Sequence, residues 1–259
     1  MSVIACRRGC LCGVLCNVFI LLCFCSIAWA QPGYWTQNTA RVLPAKRGEV
    51  MLLGASRYAY RERVEMGASL FAFAVLPNVQ LKWALLDQPD AELEGGWAVA
   101  FRNRVFLPGQ MYSFLGESTA STPWSAQVAV DGDMLMTWGR GGQLITMRMG
   151  GVWSYRRADS ATTQLPWFLW HRAPVRDDER SVWMVRGGAS LRQHVGREGW
   201  FVQADGDIHL LPETRYTGLE LGWSVGVERR HLFAQFGGRS MYDGALSTMP
   251  VLEFGVALE

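Results

Sequence analysis

From residue 48 onward the chain is written in alternation, apolar and polar positions exchanging places one by one, with almost no helical spacing. In GLELGWSVGVE, Leu219, Leu221, Trp223, Val225 and Val227 share one face, and Glu220, Gly222, Ser224, Gly226 and Glu228 the other. The last stretch repeats the scheme, with Leu252, Phe254, Val256 and Leu258 set against Glu253, Gly255 and Ala257. Period two predicts strands over 48–60, 63–75, 78–87, 95–107, 109–117, 124–138, 142–156, 180–192, 199–211, 216–228, 231–242 and 250–258. Most are long for a soluble protein, whose strands average about five or six residues, and match the roughly nine to eleven that a tilted strand needs to cross a bilayer.

Alternation alone leaves the solvent of the apolar face undecided. A soluble sandwich buries it, whereas a membrane barrel turns it to lipid and keeps the polar face for its lumen. Connection lengths favour the barrel. With residue 31 on the periplasmic side, tight turns at 76–78, 108–109, 139–142, 196–199 and 228–230 fall at one end, and longer connections such as QPDAELEGG, ESTASTP and residues 157–180 at the other. Only the turn at Arg61 and Glu62 breaks this segregation, which is the habit of outer-membrane barrels. Aromatic residues near the strand ends point the same way, because indole and phenol rings settle at membrane interfaces. Tyr58, Trp83, Trp97, Trp138, Trp153, Trp183 and Trp200 are the expected girdle.

The lipid-facing row then includes Val64, Met66 and Ala68, and the inward rows carry the charge. Arg102, Arg104, Arg148, Arg186 and Arg192 are the inward cations expected to set ion preference, together with Lys82. Glu65, Glu220 and Glu253 are their acidic counterparts, with Asp131, Asp133 and Glu228 on the same rows. Rings of one sign would select ions; interleaved signs either set up a transverse field or knit the lumen shut.

Residues 39–85 carry a recognisable series: Thr39, Ala40, Leu43, Pro44 and Gly48, then Arg57 and Tyr58, then Val64, Glu65 and Gly67, then Pro77, Asn78, Lys82 and Trp83. The series resembles the opening of a group of bacterial outer-membrane barrel proteins, with its TAxxLPxG entry and PNxxxKW hairpin, and GRSMYDGALSTMPVLEFGVAL resembles the group's last loop and closing strand. Ala59 stands where the group has glycine. The resemblance implies a closed antiparallel transmembrane β-barrel in the outer membrane of a Gram-negative-type cell. It implies lipid, lipopolysaccharide and the barrel-assembly machinery as partners, and no particular activity.

Residues 1–30 read as a cleaved signal peptide: Arg7 and Arg8, an apolar run, then Ala28, Trp29 and Ala30. Residues 31–47 follow as an N-terminal periplasmic segment, and 48–259 as the barrel. All six cysteines precede residue 31, so residues 31–259 offer no disulfide, thiol nucleophile or thiolate metal site. Twenty-five basic and twenty-three acidic side chains leave no surplus to attract nucleic acid.

Searches for chemistry yield little. None of the four histidines stands in the His-x-Ser arrangement expected of a membrane lipid hydrolase. Asp205, Asp207 and His209 share a strand face, a spacing more often used for lumen ion pairs than for a cation, and the sequence calls for no metal or other cofactor. Trp167, Phe168 and Trp170 mark a long loop that either constricts the lumen or meets an external partner. Two function classes stay open: a narrow passive channel for ions or small polar solutes, and a plugged barrel with a structural or adhesive role. A secreted β-sandwich is the third alternative, and enzymatic activity is not expected.

Overall fold

The computed structural model describes residues 38–52, 55–69, 78–87, 96–107, 127–156, 181–195, 199–211, 216–229, 231–242 and 246–258. Twelve strands run β1 (Gly48–Met51), β2 (Ala55–Arg61), β3 (Val64–Ser69), β4 (Asn78–Asp87), β5 (Gly96–Phe106), β6 (Gln127–Arg140), β7 (Gln143–Arg156), β8 (Ser181–Val195), β9 (Trp200–Leu211), β10 (Tyr216–Glu228), β11 (Leu232–Tyr242) and β12 (Leu246–Leu258). Each pairs antiparallel with its sequence neighbours, and β1 pairs with β12 to close the barrel. Closure gives every strand a partner on both sides and removes the exposed edges that would otherwise template association.

The closing seam is short. Among the described residues β1 and β12 are in register with each other from Gly48↔Leu258 to Met51↔Gly255, and β1 meets β2 at Gly48↔Tyr58 and Glu49↔Arg57. By contrast β6 and β7 are in register from Gln127↔Arg156 to Arg140↔Gln143. Their connection is a two-residue turn with Gly141 at φ 55° and Gly142 at φ 82°. Two positive φ angles make the type I′ geometry whose twist matches the flanking strands, and the GRGG sequence supplies the glycines it needs.

Strand order separates the connections into two ends. The entry end, where β1 begins, holds the connections at 62–63, 88–95, 141–142, 196–199 and 229–231; the loop end holds 52–54, 70–77, 107–126, 157–180, 212–215 and 243–245. The strand count agrees with the sequence expectation, but the first element differs. The expected strand over 48–60 is two strands, because the chain reverses after Met51: the Met51 N–H donates to Ser56 Oγ at 3.0 Å, and that hydroxyl donates back to the Met51 carbonyl at 3.3 Å. The expected strand at 109–117 lies outside the described residues, as do the signal peptide and the loop with Trp167, Phe168 and Trp170; both edges of β5 are already taken by β4 and β6.

Splitting the first strand also reverses the expected ends of the early connections. The turn at Arg61–Arg63 sits with the other tight turns, QPDAELEGG joins them, and the 70–77 and 107–126 connections move to the loop end.

Large apolar side chains point outward throughout. Val79, Leu81, Trp83 and Leu85 on β4, and Ile145, Met147 and Met149 on β7, are exposed on the outer surface. Asn103 is an exposed amide on the outward row of β5, between the apolar Phe101 and Val105.

Candidate functional site: the charged lumen

The strand period turns the opposite rows inward, and these rows hold most of the charged side chains among the described residues. Arg102, Arg104, Arg148, Arg186, Arg192, Lys82, Glu65, Glu220 and Glu253 all lie on the inner face, in phase with buried neighbours. They do not form rings of one sign. Positive and negative side chains are knitted into clusters, each spanning several strands.

The first cluster lies where β1, β2, β3 and β4 are short. Arg57 on β2 pairs with Glu49 on β1, and its Nη1 is 3.4 Å from Glu65 Oε1 on β3; Lys82 Nζ on β4 is 3.2 Å from the same oxygen. These side chains are almost dry, Lys82 being 2% exposed and Glu65 0%. What dries them is the chain itself. Residues 38–47, read from the sequence as a periplasmic segment, pass inside the barrel. The Ala40 N–H donates to Thr137 Oγ1 at 2.7 Å, Leu43 N–H to Glu65 Oε2 at 3.2 Å, and Lys82 Nζ donates to the Arg41 carbonyl. Ala40 packs with Ala98 and Ala100 on the inner row of β5, whose small side chains leave room for it, and with Leu135 on β6. At the rim the Lys46 N–H reaches the Ala59 carbonyl at 2.8 Å and Ala59 N–H the Arg47 carbonyl at 3.0 Å, so the segment extends the backbone ladder of the shortest part of the wall.

The second cluster joins β5, β6 and β8. Arg102 reaches Asp133 through Nε and Nη2 (3.2 and 2.6 Å), Arg104 pairs with Asp131, and Arg186 reaches Asp133 through Nε at 2.8 Å and Asp131 through Nη2 at 2.6 Å. Three guanidinium groups share two fully buried carboxylates. The third cluster lies across β7, β9, β10 and β11. Arg148 clasps Asp207 with Nε and Nη2 at 2.5 and 2.6 Å, in the two-pronged geometry that suits guanidinium to carboxylate. Arg239 Nε is 2.9 Å from Glu220, His209 Nε2 is 3.3 Å from the same carboxylate, and Arg239 Nη2 is 3.5 Å from Asp205.

Short acidic side chains can lie flat against the wall only where the neighbouring strand has no side chain. A Cβ at Gly188 would overlap the Asp207 carboxylate, and one at Gly150 would overlap Asp133. The glycines interspersed with charge along the inner rows are therefore seats for the aspartates.

Nearer the entry end, Glu228 accepts from Arg192 Nη1 at 3.1 Å and faces His194 Nε2 at 2.8 Å. Arg192 also lies over the Phe201 ring, 4.8 Å from its centroid, and Phe201 stacks on Phe233 at 5.8 Å. With Met51 and Ala257 these rings form an apolar cluster inside the barrel. Towards the loop end the interior opens into a cavity of about 170 Å³, floored by Asn38 and Thr39 of the inner segment and walled by the second and third clusters.

The expected girdle faces outward. Tyr58, Trp83, Trp97 and Trp200 are exposed in the entry half, with Trp138 opposite Trp97 in register, and Trp153 and Trp183 face each other across β7 and β8 in the loop half. Three lumen residues went unread in the sequence. Glu49 and Arg57 were readable from the alternation that runs through 48–60, and Arg239 from its alternation with Gln235, Gly237 and Met241. The seating of residues 38–47 had no periodic signal at all. No protein-family model matches this sequence, and no curated protein matches it.

Proposed function

We propose that the protein is an outer-membrane β-barrel that is closed at rest, plugged by its own residues 38–47, with a structural or surface-binding role centred on its loop end. Its apolar outer rows and the aromatic residues near both ends support the membrane reading, since exposed apolar surface on this scale marks a membrane or partner contact. The observation that carries the closed state is the inner segment's seat: Ala40 is 0% exposed, and backbone groups from Ala40 to Leu43 are tied to Thr137, Glu65 and Lys82 on the inner wall. Interleaved ion pairs fill much of what the segment leaves. The barrel acts without enzymatic chemistry of its own.

A narrow passive channel is the second reading, favoured by the arginines that line the loop-end cavity. Planar-bilayer recording separates the two. The closed reading expects a silent bilayer for the full protein and discrete steps once residues 31–45 are deleted, with the heat-dependent gel shift of a folded barrel confirming both proteins. Steps from the full protein, with ion preference altered by Arg148→Glu, would replace the closed reading with the channel.

A further inference from the structure

The loop-end cavity is charged asymmetrically. On one arc of its wall stand Arg102, Arg104 and Arg186, whose only carboxylate partners among the described residues are Asp131 and Asp133, so within the described residues the cluster keeps one positive charge in excess. Both aspartates are fully buried in the wall, and the arginines lie between them and the cavity. A guanidinium offers five N–H donors. Arg102 and Arg186 commit Nε and Nη2, leaving Nη1 of each without a partner among the described residues. Arg104 commits Nη2, and its buried Nε has no hydrogen-bond partner among them.

The adjoining arc, on β9, β10 and β11, carries acidic side chains. Asp205, Asp207 and Glu220 share Arg148 and Arg239, with His209 beside Glu220. Asp205 is weakly held: among the described residues its carboxylate accepts only from Gln203 Nε2 at 3.4 Å and Arg239 Nη2 at 3.5 Å. Gly222 on β10 leaves the space in which that carboxylate rests. A buried charge that is poorly paired is costly, and two such charges of opposite sign bordering one cavity would both be compensated by one molecule carrying the complementary pair.

We infer that this cavity is a binding site for a small zwitterion, its anionic group held by Arg102, Arg104 and Arg186 and its cationic group by Asp205. A simple anion would satisfy the arginines but meet Asp205 and its neighbours; a simple cation would do the reverse. A cavity of about 170 Å³ has room for a small organic solute. The inference rests on the closed reading in one respect, since residues 38 and 39 form the cavity floor.

Three probes of one carbon skeleton test it: 4-aminobutyrate, butyrate and butylammonium, titrated calorimetrically into the full protein folded in detergent. We expect 4-aminobutyrate to bind at least about tenfold more tightly than either singly charged analogue, a difference of about 1.4 kcal/mol. Asp205→Asn should weaken 4-aminobutyrate and bring butyrate level with it, while Arg104→Gln should do the same for butylammonium. Absence of 4-aminobutyrate binding to the unmutated protein overturns the site, as does equal binding of all three probes. Butyrate binding as tightly as 4-aminobutyrate before any substitution would make it a plain anion site and also overturn the inference. Maleimide protection of an Ala40→Cys variant, measured in the same detergent, reports whether the segment is seated. Loss of that protection would count against the closed reading, whereas protection without zwitterion preference would count against this site alone.

Discussion

Glu65→Ala probes the joint between the inner segment and the wall. Glu65 is completely buried, and one carboxylate serves three partners: Arg57 Nη1 at 3.4 Å, Lys82 Nζ at 3.2 Å and the Leu43 N–H at 3.2 Å. Removing it leaves Arg57 with Glu49 but strands the Lys82 ammonium with a single acceptor, the Arg41 carbonyl. Breaking a buried ion pair from one side costs about 3–5 kcal/mol, and the orphaned Leu43 N–H adds about 1 kcal/mol. The expected loss is therefore about 4–6 kcal/mol. At a urea slope of about 2 kcal/mol per molar, the unfolding midpoint should fall by roughly 2–3 M. The assay is urea titration of protein folded into lipid vesicles, followed by tryptophan fluorescence and by the heat-dependent gel shift. Lys82→Met supplies the control: with no ammonium left to strand, the double variant should lose less than the sum of the two single ones. A Glu65→Ala midpoint within about 0.5 M of the parent would refute the reasoning, for it would mean that water reaches Lys82 and that the segment does not seal this part of the lumen.

Other consequences are as direct. Met149, 65% exposed on the outer face, should tolerate arginine poorly: about 2–4 kcal/mol of stability in vesicles if lipid surrounds it near the bilayer midplane, against less than about 0.5 kcal/mol for a water-facing surface, read from the same urea titration. Gly188→Val should cost about 1–3 kcal/mol, since the new side chain displaces the Asp207 carboxylate from its seat and the Gly206 carbonyl has no room to yield; the titration should show a lower midpoint with an unchanged slope. Ala40→Cys places a thiol in a chain with no other cysteine beyond residue 30; it should resist a water-soluble maleimide until the barrel is unfolded, and rapid labelling of the folded protein would unseat the segment.

Much of the wall was legible in the sequence because a barrel strand carries its environment in a two-residue period. The inward phase of Arg148 follows from the outward phase of Met147 and Met149, and the same logic places Glu220 and Glu253. It failed at Met51–Ala55 for a physical reason. The chain reverses there with its phase intact: Glu49, Met51, Ala55, Arg57 and Ala59 are all inward, so the alternation reads straight through the turn. Only the Gly54-Ala55-Ser56 triplet hints at the Ser56 hydroxyl closing that bend. The lumen partnerships were less legible than the lumen residues. Arg148 meets Asp207 two strands away, and no pattern along one strand records how far a long side chain leans. Residues 38–47 escaped altogether, because a segment held by its backbone on the wall's side chains needs no periodicity of its own.

The four-residue seam between β1 and β12 sets an order on biogenesis. Its two halves lie at opposite extremes of the strand sequence, so the cylinder cannot shut before residues 255–258 have arrived, and the strand they fasten to leads straight out of the segment seated inside. Stopper and clasp are consecutive stretches of one polypeptide.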